Sequence, residues 1–316
     1  MKRFLIFLVT LVALVGLLVP GAVTGGASAD DKPKPEDIVA KHLDSIGTAE
    51  ARKPNRPRGM TGTIEVTIRS KGVAKGTGAA ILASEGAMNL VRMDFGGNQY
   101  PYDRVAFDGG KITASQVSPG VYSNLGSFVR SYPELLKDGL LGGSLSTAWL
   151  PLNSAAMKGK LEYAGTKKVN NRPAIELRYR PSGGSDLKIS LFFDAETFHH
   201  VRSIYQHTVS SQMSANVGPA PSRGGGATAA PPRPGSNPAP SNREGELSAS
   251  QSETRYVLSE DFDDFKPEGG LTLPHSYKIR FEQAGGSSQF TDWEMKFNQF
   301  FFDQPLEAKF FDVSGN

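Results

Sequence analysis

The chain has 316 residues, carries 35 Lys and Arg against 32 Asp and Glu, and contains no cysteine. The lack of cysteine excludes disulfides, thiol catalysis, thiolate zinc sites and iron–sulfur clusters, so the fold must hold by its core alone. The near balance of charge leaves no electrostatic footprint for nucleic acid.

The first 29 residues read as a secretory signal peptide. Lys2 and Arg3 form a positive start, Phe4 to Val19 is apolar apart from Thr10 and Gly16, and Ala27-Ser28-Ala29 places small side chains at a cleavage site. A membrane anchor is the competing reading, but the run falls short of the roughly 18 apolar residues of a spanning helix. No cysteine stands near the site, which rules out acyl anchoring as a lipoprotein. Cleavage would leave 287 residues with 33 Lys and Arg against 32 Asp and Glu.

Pro35-Glu36-Asp37 has the proline and acids of a helix start. Ile38, Val39, Leu43 and Ile46 form one stripe, and Gly47 ends the helix. After a Pro-rich connection the period changes to 2. Ile64, Val66 and Ile68 alternate with polar residues, as do Val91, Met93 and Phe95, and Val105 and Phe107 lead into the hairpin signal Asp108-Gly109-Gly110. Gly72, Gly76 and Gly78 read as a bulged or flexible hairpin. Ser127 to Leu152 does not alternate. It holds Phe128, Leu135, Leu136, Leu140, Leu141, Leu145 and Trp149, broken by Pro133, Gly139, Gly142 and Gly143, and reads as one or two short apolar helices joined by glycines.

Alternation resumes at Leu161 and Tyr163. It continues through Ile175, Leu177 and Tyr179, through Leu187, Ile189, Leu191 and Phe193, and through Val201 to His207. Gly218 to Glu246 has 7 Pro and 6 Gly in 29 residues and is expected to be disordered, as an insertion in a hairpin at about 210–252. Beyond it, Tyr277, Ile279 and Phe281, then Trp293, Met295 and Phe297, alternate again. The total is about 11 strands.

Such strands make an antiparallel sheet with one dry and one wet face. A sheet of that size curls, and its concave side must be filled. The fold class expected is therefore mostly β with a few helices: an unclosed antiparallel barrel with an N-terminal helix and a helical lid. Residues 30–316 would form one domain. An apolar hollow behind a lid suits a lipid or acyl chain. By strand and helix parity its walls would be Ile64, Val66, Ile68, Val91, Met93, Phe95, Leu177, Leu191, Phe193, Ile279 and Phe281. Its lid would carry Phe128, Leu136, Leu140, Leu145 and Trp149, with Trp149 at the mouth.

The mature chain resembles the LolA/LolB superfamily of envelope lipoprotein-localisation factors, in its outer membrane lipoprotein-sorting branch. The resemblance rests on EDIVAKHLDSIG, RVAFDGGK, LLKDGLLGGSL, LEYAGTKKVNNRPAIELRYRP and LFFDAETFHHVRSIY, and most of all on YVLSEDFDDFKPEGGLTLPHSYKIRF and KFNQFFFDQPLEAKFFD. It implies an unclosed barrel with a lid over an acyl-chain cavity, with no catalysis and no cofactor. It also implies a periplasmic location and a role in outer membrane biogenesis. The family's carrier latches its lid through a buried arginine before a proline; the matching stretch here, ASEGAMNLVR, lacks that pair, and Arg92 falls on the polar strand face.

Other motifs favour plainer readings. His199, His200 and His207 read as surface or rim histidines, since His199 and His207 stand eight residues apart, about 26 Å along a strand. Glu260, Asp261, Asp263 and Asp264 lack the calcium-loop order and read as a solvated acidic turn. Gly142 to Ser146 departs from G-x-S-x-G, and no His and Asp follow in triad order. The expectation is a non-catalytic, monomeric carrier of a lipid or lipoprotein acyl chain, without cofactor or metal. The alternative is an envelope interaction or stress-sensor protein that uses the same scaffold to bind an inner- or outer-membrane partner.

Overall fold

The computed structural model describes residues 32–97, 100–156, 159–212, 251–285 and 288–315. The signal-peptide segment and the Pro/Gly-rich stretch lie outside them.

Helix α1 (Pro35–Ile46) begins with the predicted proline, has Glu36 and Asp37 in its first turn, and ends at Gly47. It buries Ile38, Val39, His42 and Ile46, so a histidine shares the predicted stripe. Strands β1 (Arg58–Arg69), β2 (Val73–Glu85), β3 (Met88–Phe95), β4 (Tyr102–Phe107) and β5 (Ile112–Ala114) follow as a meander. A small hairpin, β6 (Gln116–Ser118) with β7 (Val121–Tyr122), leads to α2 (Asn124–Ser131) and α3 (Glu134–Lys137). After two 3-10 turns the chain continues as β8 (Lys160–Val169), β9 (Arg172–Arg180), β10 (Lys188–Asp194), β11 (His200–Gln212), β12 (Gln251–Glu268), β13 (Leu271–Ala284) and β14 (Gln289–Phe302).

Among the described residues, twelve of the fourteen strands form one antiparallel sheet in the order β5-β4-β3-β2-β1-β14-β13-β12-β11-β10-β9-β8. The pairing of β1 with β14 joins the first meander to the second. Strands β11 and β12 pair directly on either side of residues 213–250, with Gln212 opposite Gln251. The edges β5 and β8 are not paired with each other, so the sheet is unclosed.

This order dictates where residues 115–159 go. The chain leaves the sheet at one edge, β5, and must re-enter at the opposite edge, β8. It does so across the apolar face, and one hydrophobic cluster contains side chains from α1, from both meanders and from the crossing segment. The other face is stapled by ion pairs between neighbouring strands: Arg280 and Arg69 both reach Asp292, and Lys167 reaches Glu176, which Arg178 of the same strand also pairs with.

Two expectations change. Gly76 and Gly78 are not a bulge or a loose hairpin: they lie inside β2, in unbroken register with Val66 and Ile64. At Gly78 a Cβ would stand 1.9 Å from the Asp94 carbonyl oxygen, so the glycine permits a close strand contact. The crossing segment is also less helical than its composition suggests. Its α-helices span only eight and four residues, and 3-10 turns at Gly143–Leu145 and Leu150–Ala156 carry the rest.

Candidate functional site

All sixteen residues expected to line the hollow belong to one apolar cluster. Ile68 and Phe95 are partly buried at its margin, and the other fourteen are buried. The hollow is filled by the crossing segment itself: Leu135, Leu136, Leu140, Leu145 and Trp149 are at most 1% exposed. Trp149 is therefore central rather than at the mouth. The crossing segment is the lid, and its apolar side chains occupy the concave floor.

Polar bonds pin this lid along its length. Ser123 caps α2 by accepting from Gly126 N–H, and its hydroxyl donates to Asp103 at 2.8 Å. Asn89 donates to the Leu136 carbonyl at 3.2 Å. Tyr179 donates to Asp138 at 2.9 Å. Thr147 N–H donates to Ser84 at 2.9 Å. Gly139, at φ +65°, lets the chain fold back so that Leu150 N–H reaches its carbonyl at 3.1 Å.

Glu260 forms the deepest fixture. It is fully buried, which corrects its reading as part of a solvated turn: it lies mid-strand in β12 and faces the core. Its Oε1 accepts from Gly142 N–H at 2.7 Å and from the Tyr277 hydroxyl at 2.5 Å. Its Oε2 lies 2.5 Å from the Tyr205 hydroxyl, which is also 3.0 Å from the Leu140 carbonyl of the lid. Tyr205 has one proton for two acceptors. A protonated Glu260 resolves the conflict: it donates to Tyr205, and Tyr205 donates to Leu140. Burial pushes Glu260 up to about 7, against hydrogen bonds from both tyrosines that pull it down.

His42, His200 and Trp149 form a second fixture. Trp149 Nε1–H donates to His42 Nε2 at 2.9 Å, and His42 Nδ1 lies 2.9 Å from the Phe198 carbonyl. The indole donor fixes Nε2 as an acceptor, so the ring is neutral with its proton on Nδ1. Burial holds His42 down at about 3. His200 stacks on Trp149, with ring centroids 4.4 Å apart, and its Nε2 lies 3.0 Å from Ser203. It is fully buried, so it is not a surface or rim histidine. Among the described residues no three His, Asp or Glu side chains gather as metal ligands.

Arg58 is the third fixture, and sequence reasoning missed it. It follows Pro57, is 1% exposed, and donates from Nη1 to the Ser144 carbonyl of the lid at 2.7 Å. Its Nε and Nη2 have no hydrogen-bond partner. Burial lowers it to about 10, still charged at neutral pH. Arg58 sits at the start of β1, and a charged side chain there gave no sequence sign of its burial.

Two open hollows flank the lid. One, of about 300 Å³, lies between α2 and strands β11 to β13, lined in part by Phe128, Tyr132, His207, Tyr256 and Phe281. The other, of about 360 Å³, lies between α1 and the edge strand β8 and includes Val39, Leu43, Pro151 and Leu161.

No protein-family model matches the chain, and no curated protein matches it. Solved structures do. A complex of MucA with MucB from Pseudomonas aeruginosa matches at 13% identity and a TM-score of 0.20, over 83% of this chain and 94% of that one. An outer membrane lipoprotein-sorting protein domain from Vibrio parahaemolyticus matches at 9% identity and a TM-score of 0.36, over 87% and 95%. A LolA superfamily protein from Nitrosomonas europaea matches at 9% identity and a TM-score of 0.41, over 87% and 96%.

Proposed function

We propose that the chain is a non-catalytic periplasmic carrier that holds the acyl chain of a lipid or lipoprotein against the concave face of its sheet. The observation that carries this reading is the construction of the lid. An apolar segment crosses from one sheet edge to the other and fills the concavity with leucines and a tryptophan, yet it is tied down by discrete buried polar bonds. Such bonds can exchange with water as a unit, and the segment then lifts from the floor. A hydrocarbon tail takes the place of Leu136, Leu140, Leu145 and Trp149 against Ile64, Val66, Ile68, Val91, Met93, Phe95, Leu177, Leu191, Phe193, Ile279 and Phe281. Each methylene so buried gains roughly 0.8 kcal/mol, so one acyl chain suffices for useful affinity. Phe128 and Phe281 line the open hollow beside α2, where the tail would enter.

The test is solvent extraction and mass spectrometry of the protein purified from its native envelope. Near-stoichiometric recovery of an acyl lipid is expected. Lipid-free protein that also fails to displace a fluorescent fatty acid would sink the reading.

A further inference from the structure

Five aromatic side chains beside α2 form a closed circuit. Ring centroids are separated by 4.8 Å from Phe128 to Tyr132, 5.4 Å from Tyr132 to His207 and 6.5 Å from His207 to Tyr256. The circuit returns by 6.4 Å from Tyr256 to Phe281 and 5.9 Å from Phe281 to Phe128. All five line the same open hollow of about 300 Å³. Neighbouring rings of the circuit are tilted by 22° to 72°, and a cation held in the hollow they rim lies within the roughly 6 Å reach of a cation–π contact to the rings that face it. The rings come from α2, from the residue that ends it, and from three adjacent strands, so the circuit is held by the rigid body of the fold.

The charge around the circuit is negative. Asp186 Oδ2 lies 3.1 Å from His207 Nδ1. Glu134 is hydrogen-bonded by Ser185. Both acids act on Tyr132, whose hydroxyl is raised to about 12, first by burial and then by these two carboxylates. The arginines of the flanking elements are engaged elsewhere: Arg130 lies over the Tyr122 ring, Arg255 faces Glu282, Arg202 pairs with Asp261 and Arg280 with Asp292. An uncharged apolar ligand would need neither acid, and an anion would be repelled by both.

We propose that this circuit is a binding site for a quaternary alkylammonium cation. A primary ammonium needs hydrogen-bond acceptors for its three protons. A quaternary one has none to satisfy and presents methyl groups to ring faces, which is the chemistry an aromatic-rimmed hollow beside two carboxylates offers. The inference does not rest on the acyl-chain reading, because a small cation tests it alone.

The experiment is calorimetric titration of the full chain with choline chloride and, separately, with 3,3-dimethylbutan-1-ol, which has the same shape without the charge. Choline is expected to bind at least tenfold more tightly than the neutral analogue. Tyr256→Leu is expected to weaken choline at least tenfold and Asp186→Asn by a smaller factor, with melting curves reporting that each variant is folded. Equal binding of the two probes, or no choline binding up to about 10 mM, overturns the site whatever the variants do. Dodecylphosphocholine, kept below its micellar concentration, identifies the source. Binding tenfold tighter than choline assigns the cation to a lipid headgroup, and binding equal to choline assigns it to a free solute; each supports the site.

Discussion

Glu260 is ringed by two tyrosine hydroxyls and a backbone amide, with Ser203 a further donor. Its folded value of about 7 lies above the ordinary carboxylate value of 4.5, so the folded state holds its proton more tightly than the unfolded chain does. The stability this contributes is fully present below about pH 4.5 and is lost as pH rises through about 7. The shift corresponds to ~3 kcal/mol. Asp103, raised by burial to about 6, pulls the same way. His42, held at about 3, and His200, held well below its usual value, pull the opposite way: each stabilises above about pH 6.5 and loses that contribution on acidification. The wild-type profile between pH 4.5 and 7 is therefore shallow, and a variant is needed to separate the two pairs. Glu260→Gln imitates the protonated acid, since its amide can donate to Tyr205 while its carbonyl accepts from Gly142 and Tyr277. Its stability should equal wild type near pH 4 and exceed it by ~3 kcal/mol near pH 8, measured by urea melts across that range. A difference that does not vary with pH would show that Glu260 titrates in the fold as it does in the unfolded chain.

At the scale of elements, the lid depends on backbone that only glycine can supply. Gly139 sits at φ +65°, and a Cβ there would lie 1.7 Å from the Ala148 carbonyl oxygen. Gly139→Ala must unfold that turn or push Leu150 off its bond to Gly139. We expect a loss of about 2–4 kcal/mol, with faster hydrogen exchange confined to residues 134–152. Uniform acceleration across the sheet would mean that the lid and the sheet open together. These glycines were visible in the sequence as breaks, but one or two helices joined by glycines was the wrong assignment: α2 and α3 meet at Tyr132 and Pro133, and the glycines fall after them, at turns and a 3-10 helix. Alternation located the apolar faces, because period 2 reports burial directly. What periodicity cannot report is a polar residue on an apolar face. His42 sits in a helical stripe and Glu260 in a strand, and each becomes legible only when the lid brings it a partner. Arg58 starts β1 on the same buried face as Met60, and a charged side chain at that position does not announce its burial. Gly78 was misread for a similar reason, since its close contact is with Asp94 on a strand paired across a turn.

At the scale of the whole molecule, the proposed carrier role makes lid and ligand competitors for one surface of the open sheet. A chain that exits at β5 and re-enters at β8 must lie across the concave face, so no ligand can reach the floor until part of that crossing lifts. The apparent affinity for an acyl chain is then the intrinsic affinity reduced by the fraction of molecules with the lid raised. Tyr205→Phe is the cleanest way to change that fraction. It removes the hydroxyl shared by Glu260 and the Leu140 carbonyl while leaving the ring packed in the core. The closed state loses about 1–2 kcal/mol of hydrogen bonding that water restores in the raised state. The lid should therefore open about tenfold more often, and a fluorescent fatty acid should bind about tenfold more tightly, even though the protein as a whole melts earlier. Weaker binding together with lower stability would place the acyl chain in one of the flanking hollows, with the lid as a permanent part of the core.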